Sequence, residues 1–217
     1  MIKLRAVFEK KDRAKYISHL DLNRCMLRTF RRSGLPIWYT EGFHSHPYFS
    51  FALALSLGYE SNCEILDFNL NEEIPFDEVR DRLNAVMPYG MRIISVGEPK
   101  LKITKIAKAE YSFSLKSDNI DGLVNDVERL LQSESILVEK KTKKGIQQVD
   151  IKPFIEITSV SLWDGKYNMS MRLPAGTQVN YNPALFFEAL RNSSGIPFET
   201  AEIRRTGIFS ENNEIFL

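Results

Sequence analysis

The chain has 217 residues, of which 43% are hydrophobic and 26% charged, and its basic residues outnumber its acidic residues by one. This ordinary globular composition excludes disordered, collagen-like and coiled-coil proteins. The longest apolar stretch runs from Phe49 to Leu57, contains two serines and is too short to span a membrane. The first residues alternate apolar and charged side chains, unlike a signal peptide, so we expect a cytoplasmic protein without a membrane partner.

Residues 1–98 predict the element order β-α-β-β-α-β. Residues 2–8 alternate like a half-buried strand. Ser18 is a candidate helix N-cap with Asp21 in the capping-box position, and Gly34 is placed to end that helix. The remaining predicted segments are extended chain at 37–43 and 48–55, a strand at 64–70, a helix at 76–86 and a strand at 91–96.

Residues 109–217 predict a second copy of this order after a linker at 99–108. Asp164–Gly165 is a strong hairpin signal, and Asn182 followed by Pro183 is typical of a helix start. The predicted segments are strands at 111–115, 136–140, 149–158, 160–163, 167–173 and 203–209, and helices through Leu123, Val127 and Leu130 and through Phe186 and Leu190. We therefore predict an α+β protein of two ferredoxin-like halves with antiparallel sheets, 1–98 and 109–217.

The two cysteines, Cys25 and Cys63, offer no disulfide framework and no zinc-finger spacing. Two thiolates are also too few to hold an iron–sulfur cluster alone. The common nucleotide-binding, hydrolase and metalloprotease motifs are missing from the sequence. We predict no cofactor and no metal site.

Charge is unevenly distributed along the chain. Residues 1–32 contain ten basic and three acidic residues, a net charge of +7, whereas residues 33–100 have a net charge of −6. A basic segment of this size favours a polyanionic partner such as RNA. The alternative is that the two segments pack together and neutralise each other.

Two of the three histidines, His44 and His46, lie in the loop Gly42–Pro47. A metal site would need further ligands, for which His19, Cys63, Glu64 and Asp67 are the local candidates, and the spacing does not require them to converge. The histidines could instead carry general acid–base chemistry near neutral pH.

The first predicted helix has four arginines on one side. Arg24, Arg28, Arg31 and Arg32 follow at i, i+4, i+7 and i+8, opposite the apolar face, and could contact phosphates. A solvated helix face is the alternative interpretation, since cations near a helix C-terminus are favoured in any case. The aromatic residues Tyr39, Phe43 and Tyr48 could stack on unpaired bases, and the alternative is that they belong to the core. Phe43 and His46 join the four arginines in the candidate nucleic-acid-binding set.

Several short strings are spread over the chain: Tyr16-Ile17-Ser18-His19-Leu20-Asp21-Leu22, Gly34-Leu35-Pro36, Gly42-Phe43 with His46-Pro47, Ser50-Phe51-Ala52, Leu57-Gly58, Glu64 with Asp67, Val149-Asp150-Ile151 and Arg204-Arg205-Thr206. These strings resemble the radical SAM-linked protein family, uncharacterised bacterial proteins encoded beside, or fused to, a radical SAM enzyme that often has a B12-binding-type domain. Members usually have Asn-Pro where this chain has His44-Ser45, so only His19 and His46 match the family pattern.

The resemblance implies a radical SAM protein as partner, and RNA as a further possible partner. The leading hypothesis is a non-catalytic accessory protein that presents RNA or another polyanionic substrate to the radical SAM enzyme. One alternative is a metal-independent endoribonuclease in which His19 or His46 is the general base or acid, Tyr16 an auxiliary proton donor and Arg24 a stabiliser of phosphate charge. The doubled ferredoxin-like plan is similar to that of CRISPR repeat-processing endoribonucleases. Another alternative is an adaptor that contacts only its protein partner.

Overall fold

The computed structural model describes residues 1–142, 145–176 and 179–216. Their ten strands are β1 (Ile2–Lys10), β2 (Phe49–Phe51), β3 (Glu60–Leu70), β4 (Met91–Gly97), β5 (Ile106–Lys116), β6 (Leu137–Thr142), β7 (Gly145–Asp150), β8 (Glu156–Trp163), β9 (Lys166–Pro174) and β10 (Glu199–Ser210). Their four α-helices are α1 (His19–Arg32), α2 (Phe76–Asn84), α3 (Ile120–Gln132) and α4 (Pro183–Ser193). The protein is therefore a mixed α+β fold. No helix of the described ranges is long and apolar enough to cross a membrane.

Eight of the strands form one sheet, in the order β4-β1-β3-β10-β5-β9-β8 with β2 also paired to β3. All of its pairings are antiparallel except that of β10 with β3, where Arg204 lies opposite Glu60 and Arg205 opposite Ser61. β3 therefore has two neighbours along one edge: β10 pairs with its first residues, and β2 pairs with residues 66–68. Within each half the strands follow one order, β4-β1-β3-β2 and β10-β5-β9-β8, and the separate β6-β7 hairpin is inserted in the second half.

The local capping and turn signals of the sequence are confirmed. The Ser18 hydroxyl oxygen accepts the Asp21 backbone N–H at 3.1 Å at the start of α1. Gly34 follows α1 with a φ of +67°, a conformation that glycine adopts without strain. The Asn182 side chain caps α4, and Asp164 and Gly165 have the positive φ angles of a tight hairpin turn between β8 and β9.

The prediction of one strand over 149–158 is wrong. β7 ends at Asp150, a 3₁₀ turn covers Lys152–Phe154, and β8 begins at Glu156. Pro153 has no backbone N–H for a ladder, and the Asp150 carboxylate accepts the N–H groups of Ile136 and Lys152, which stabilises the turn. β5 begins at Ile106, inside the predicted 99–108 linker. The sequence also predicts a basic loop with Lys140, Lys141, Lys143 and Lys144, of which Lys143 and Lys144 lie outside the described residues.

The helices cover one face of the sheet and enclose two hydrophobic cores. Leu22, Met26 and Phe30 of α1 pack against β1 in the first core. The second core lies under α3 and α4 and also contains Leu53 and Tyr59 from the N-terminal half. The two halves therefore share buried apolar surface as well as a sheet.

A buried ion pair joins the halves at the short β3–β10 contact. Arg205 Nη1 lies 2.9 Å from Glu64 Oε1, and both side chains are 3% exposed or less. Arg205 Nη2 also donates to the Ala54 carbonyl at 2.6 Å and to the Tyr111 hydroxyl at 3.3 Å. Burial is the largest single influence and alone would lower the pKa of Arg205, but the Glu64 carboxylate, Tyr111 and Cys63 together outweigh it and the pKa is raised. Arg205 therefore stays charged.

We expect Glu64→Gln to lower the free energy of unfolding by about 3–5 kcal/mol, because it leaves the Arg205 cation buried without a counter-charge. Denaturant titration followed by circular dichroism measures the change. Glu60→Gln is the matched control, since Glu60 pairs with Arg204 at the partly exposed edge of the same junction, and should cost less than about 1 kcal/mol. Equal effects of the two variants would contradict the assigned role of Glu64.

Cys63 lies beside this pair, and burial together with the Glu64 charge raises its pKa to about 12. Because only the thiolate reacts, we expect iodoacetamide at pH 8 to label Cys63 at least roughly 100-fold more slowly in the native protein than in the denatured protein. Mass spectrometry of the Cys25→Ser variant, which keeps Cys63 as its one cysteine, measures the rate. Similar labelling rates in the two states would show that Cys63 is accessible and ionisable.

Candidate nucleic-acid interface

The amphipathic pattern of α1 fixes the direction of its arginines. Leu22, Met26 and Phe30 are buried against the sheet. Residues on the opposite side of the helix must therefore face solvent. Arg24, Arg28, Arg31 and Arg32 are all exposed, as the predicted arginine stripe requires.

Three of the four arginines line one groove between α1 and the turn that follows α2. This groove, the arginine groove, has a volume of about 430 Å³. Its lining consists of Asp21, Arg24, Cys25, Arg28, Thr29 and Arg32 on one side and residues 85–88 on the other. Arg31 lies on α1 outside this lining.

The arginine groove has a surplus of positive charge. Arg24 pairs with Asp21 at 3.1 Å. The pKa of Asp21 is lowered by its hydrogen bond from Ser18 and by Arg24, so this acid is ionised and neutralises one arginine. Within the described residues, Arg28 and Arg32 have no carboxylate partner.

The acidic segment 33–100 neutralises other cations of residues 1–32. Asp67 binds Arg5 through two hydrogen bonds of 2.7 and 2.9 Å, and Glu60 lies 3.7 Å from Lys15. Among the described residues, neutralisation between the segments is thus confined to cations that adjoin the sheet, and it leaves Arg28 and Arg32 without a carboxylate partner.

The three candidate catalytic residues lie at the start of α1 and in the loop before β2. Tyr16 is 67% exposed and lies at the end of a 3₁₀ turn. The buried Lys10 ammonium anchors this turn by donating to the Ile17 carbonyl at 2.8 Å. Burial lowers the pKa of Lys10. His19 is exposed and its ring packs edge-on against Phe51, with the ring centres 5.6 Å apart.

The third candidate, His46, is held by its own loop. Its Nδ1 lies 2.8 Å from the His44 carbonyl oxygen and 3.2 Å from the Thr40 hydroxyl. A carbonyl oxygen can only accept, so Nδ1 donates the proton and Nε2 remains available. No hydrogen bond or ring contact joins His46 to His19 in the described part of the chain. Phe43, at the loop tip, is fully exposed.

Sequence reasoning did not identify the second wall of the arginine groove. Residues 85–88 begin 53 positions after the end of α1 at Arg32 (85 − 32), and only the fold brings them together. The available signal was Pro88, which marks the end of the α2 segment but not its position in space. Cys25 and Thr29 also line the groove, where burial raises the pKa of the Cys25 thiol.

Across the three described ranges, no three His, Cys, Asp or Glu side chains cluster closely enough to hold a metal ion.

Comparison with solved structures gives distant likenesses. A chain of a crystal structure titled as a Cbf5-Nop10-Gar1 complex shares 11% sequence identity and a TM-score of 0.48, over 95% of this chain and 50% of that chain. This protein therefore spans about half the length of that relative. An unknown protein from Galdieria sulphuraria shares 12% identity and a TM-score of 0.27, over 92% of this chain and 97% of its own.

No curated protein matches the sequence. A family model does match, over residues 3–183, which is most of the chain. The family, DUF2344, is described as an uncharacterised protein conserved in bacteria. The chain that carries the arginine groove therefore belongs to the DUF2344 family.

Proposed function

We propose that the arginine groove binds the phosphate backbone of RNA or of another polyanionic substrate. The observation that carries this proposal is the pair of unneutralised cations, Arg28 and Arg32, which share one groove with Arg24. Guanidinium groups bind phosphate oxygens through charge-assisted, often bidentate hydrogen bonds.

The spacing of the arginines suits an extended anion. Arg24, Arg28 and Arg32 recur every four residues, so they lie about 6 Å apart along the helix axis. Together they cover about 12 Å, which is a stretch of three to four nucleotides at about 3.4 Å per nucleotide. The exposed ring of Phe43 is available to stack on an unpaired base.

In this proposal the protein is a non-catalytic accessory that presents its bound substrate to a radical SAM partner. The support is the resemblance of the His19, Gly34 and His46 motifs to radical SAM-linked proteins. A radical SAM enzyme brings its own cluster-binding cysteines, whereas this chain has only Cys25 and Cys63.

We also infer that each half is a ferredoxin-like unit. The support is the repeated strand order, in which each half has its fourth, first, third and second strands side by side. This plan is similar to that of the CRISPR repeat-processing endoribonucleases. Because a fold does not determine a function, the binding proposal depends on the groove and not on this likeness.

The test is the salt dependence of RNA binding, measured by fluorescence anisotropy with a labelled single-stranded RNA. We expect the affinity of the wild-type protein to fall steeply with salt. The Arg28→Ala/Arg32→Ala variant should bind more weakly and lower the slope of log K against log salt by about 1.4, since each single-strand phosphate contact contributes about 0.7.

Arg31→Ala is the matched control, because Arg31 is an exposed arginine of the same helix outside the groove. A loss of affinity in this variant equal to that of the double variant would contradict a role for the groove itself. No salt-dependent binding by the wild-type protein would contradict polyanion binding altogether. Cleavage of the RNA, checked on a gel and abolished in His19→Ala or His46→Ala, would replace the accessory role with the endoribonuclease alternative.

A further inference from the structure

A second cleft lies on the sheet face opposite α1. Successive residues of a strand point to opposite faces. Because Leu4 packs in the core under α1, its neighbours Lys3 and Arg5 face away from that helix. The cleft has a volume of about 1100 Å³. Its walls are the beginning of β1, the end of β3, Trp38, Tyr48 and residues 98–104, and we call it the linker cleft.

Arg5 lies in the wall of the linker cleft with an unsatisfied donor. Its side chain is 2% exposed. Nε and Nη2 donate to the two Asp67 carboxylate oxygens at 2.7 and 2.9 Å, and the Phe216 ring covers the guanidinium with its centre 4.8 Å from Cζ. Nη1 is buried and has no hydrogen-bond partner among the described residues. A buried guanidinium N–H without an acceptor is costly, so this part of the wall favours negative charge nearby.

Three lysines add positive charge to the same cleft. Lys3, Lys100 and Lys102 all line it, and no ion pair is formed by them within the part of the chain that the structure describes. The acidic lining residues are Asp67, which Arg5 already neutralises, and Glu98. The lining thus has a net charge of +2 and favours an anion.

The cleft also has an aromatic wall. Trp38 and Tyr48 pack edge to face with their ring centres 5.6 Å apart, and both line the cleft. An indole face beside a cationic wall can stack on a planar heterocycle while the cations bind an attached anion. Neither the lysines nor the aromatic pair alone would specify such a ligand.

We propose that the linker cleft binds a nucleoside phosphate. Lys3, Lys100 and Lys102 bind the phosphate, the buried guanidinium of Arg5 adds positive charge behind them, and the base packs against Trp38. The proposal is independent of the arginine groove, which lies on the other side of the sheet.

Trp38 serves as the reporter in the test. The only other tryptophan, Trp163, is 77% exposed at the end of β8, so Trp163→Phe leaves a folded protein with the single tryptophan in the cleft. This variant is titrated with the four common nucleoside 5′-monophosphates, with adenosine and with inorganic phosphate. We expect saturable quenching by at least one monophosphate and weaker binding of adenosine, which lacks the anion.

Lys100→Ala/Lys102→Ala, in the same single-tryptophan background, should weaken monophosphate binding by at least about tenfold. Lys105→Ala is the matched control, an exposed lysine close in sequence that does not line the cleft, and should change the affinity by less than about twofold. Arg28→Ala/Arg32→Ala should leave nucleotide binding unchanged. No saturable quenching at millimolar nucleotide, or equal losses in the Lys105 and Lys100/Lys102 variants, would overturn the proposal.

Discussion

The buried pair of Arg205 and Glu64 is the interaction on which the rest of the structure depends. The parallel contact between β3 and β10 involves only two residue pairs, so its backbone hydrogen bonds alone are a weak link between the halves. Arg205 strengthens the link by binding β3 through Glu64, the chain before β3 through Ala54, and β5 through Tyr111. A cation buried to this degree is tolerated only beside a counter-charge, and the Glu64 carboxylate together with the acceptors of Nη1 and Nη2 makes the junction specific.

The same junction explains how a nearly neutral protein can present a basic surface. β3 brings Asp67 to Arg5 and Glu60 to Lys15, so these two acids neutralise cations near the sheet. The arginines of α1 point away from the sheet and beyond the reach of these acids. Strand pairing therefore places Asp67 and Glu60 beside cations of the sheet and leaves Arg28 and Arg32 unneutralised, although the totals of the chain almost cancel.

The sequence predicted features that are set by neighbouring residues. The Ser18 cap, the Asp164–Gly165 turn and the Asn182–Pro183 helix start each depend on a few adjacent side chains, and all are confirmed. The break at Pro153 was missed because the β-branched residues around it resemble one continuous strand. Contacts between distant segments were out of reach, since Arg205 meets Glu64 across 141 positions and no local pattern encodes that distance. The arginine stripe was predictable because it depends on the spacing of residues within one helix. The second wall of its groove and the linker cleft depend on contacts between distant segments and were not predictable.

The central position of β10 has a consequence for how the protein forms during synthesis. β10 is the last strand in chain order, yet it fills the place between β3 and β5. Until the ribosome has released it, β5 has an unpaired edge, β3 is paired along that edge only with β2, and Glu64 lacks the Arg205 cation. Unpaired edges of this kind are sites of aggregation. The nascent chain must therefore be kept from self-association until a single late segment closes the sheet and neutralises its interior.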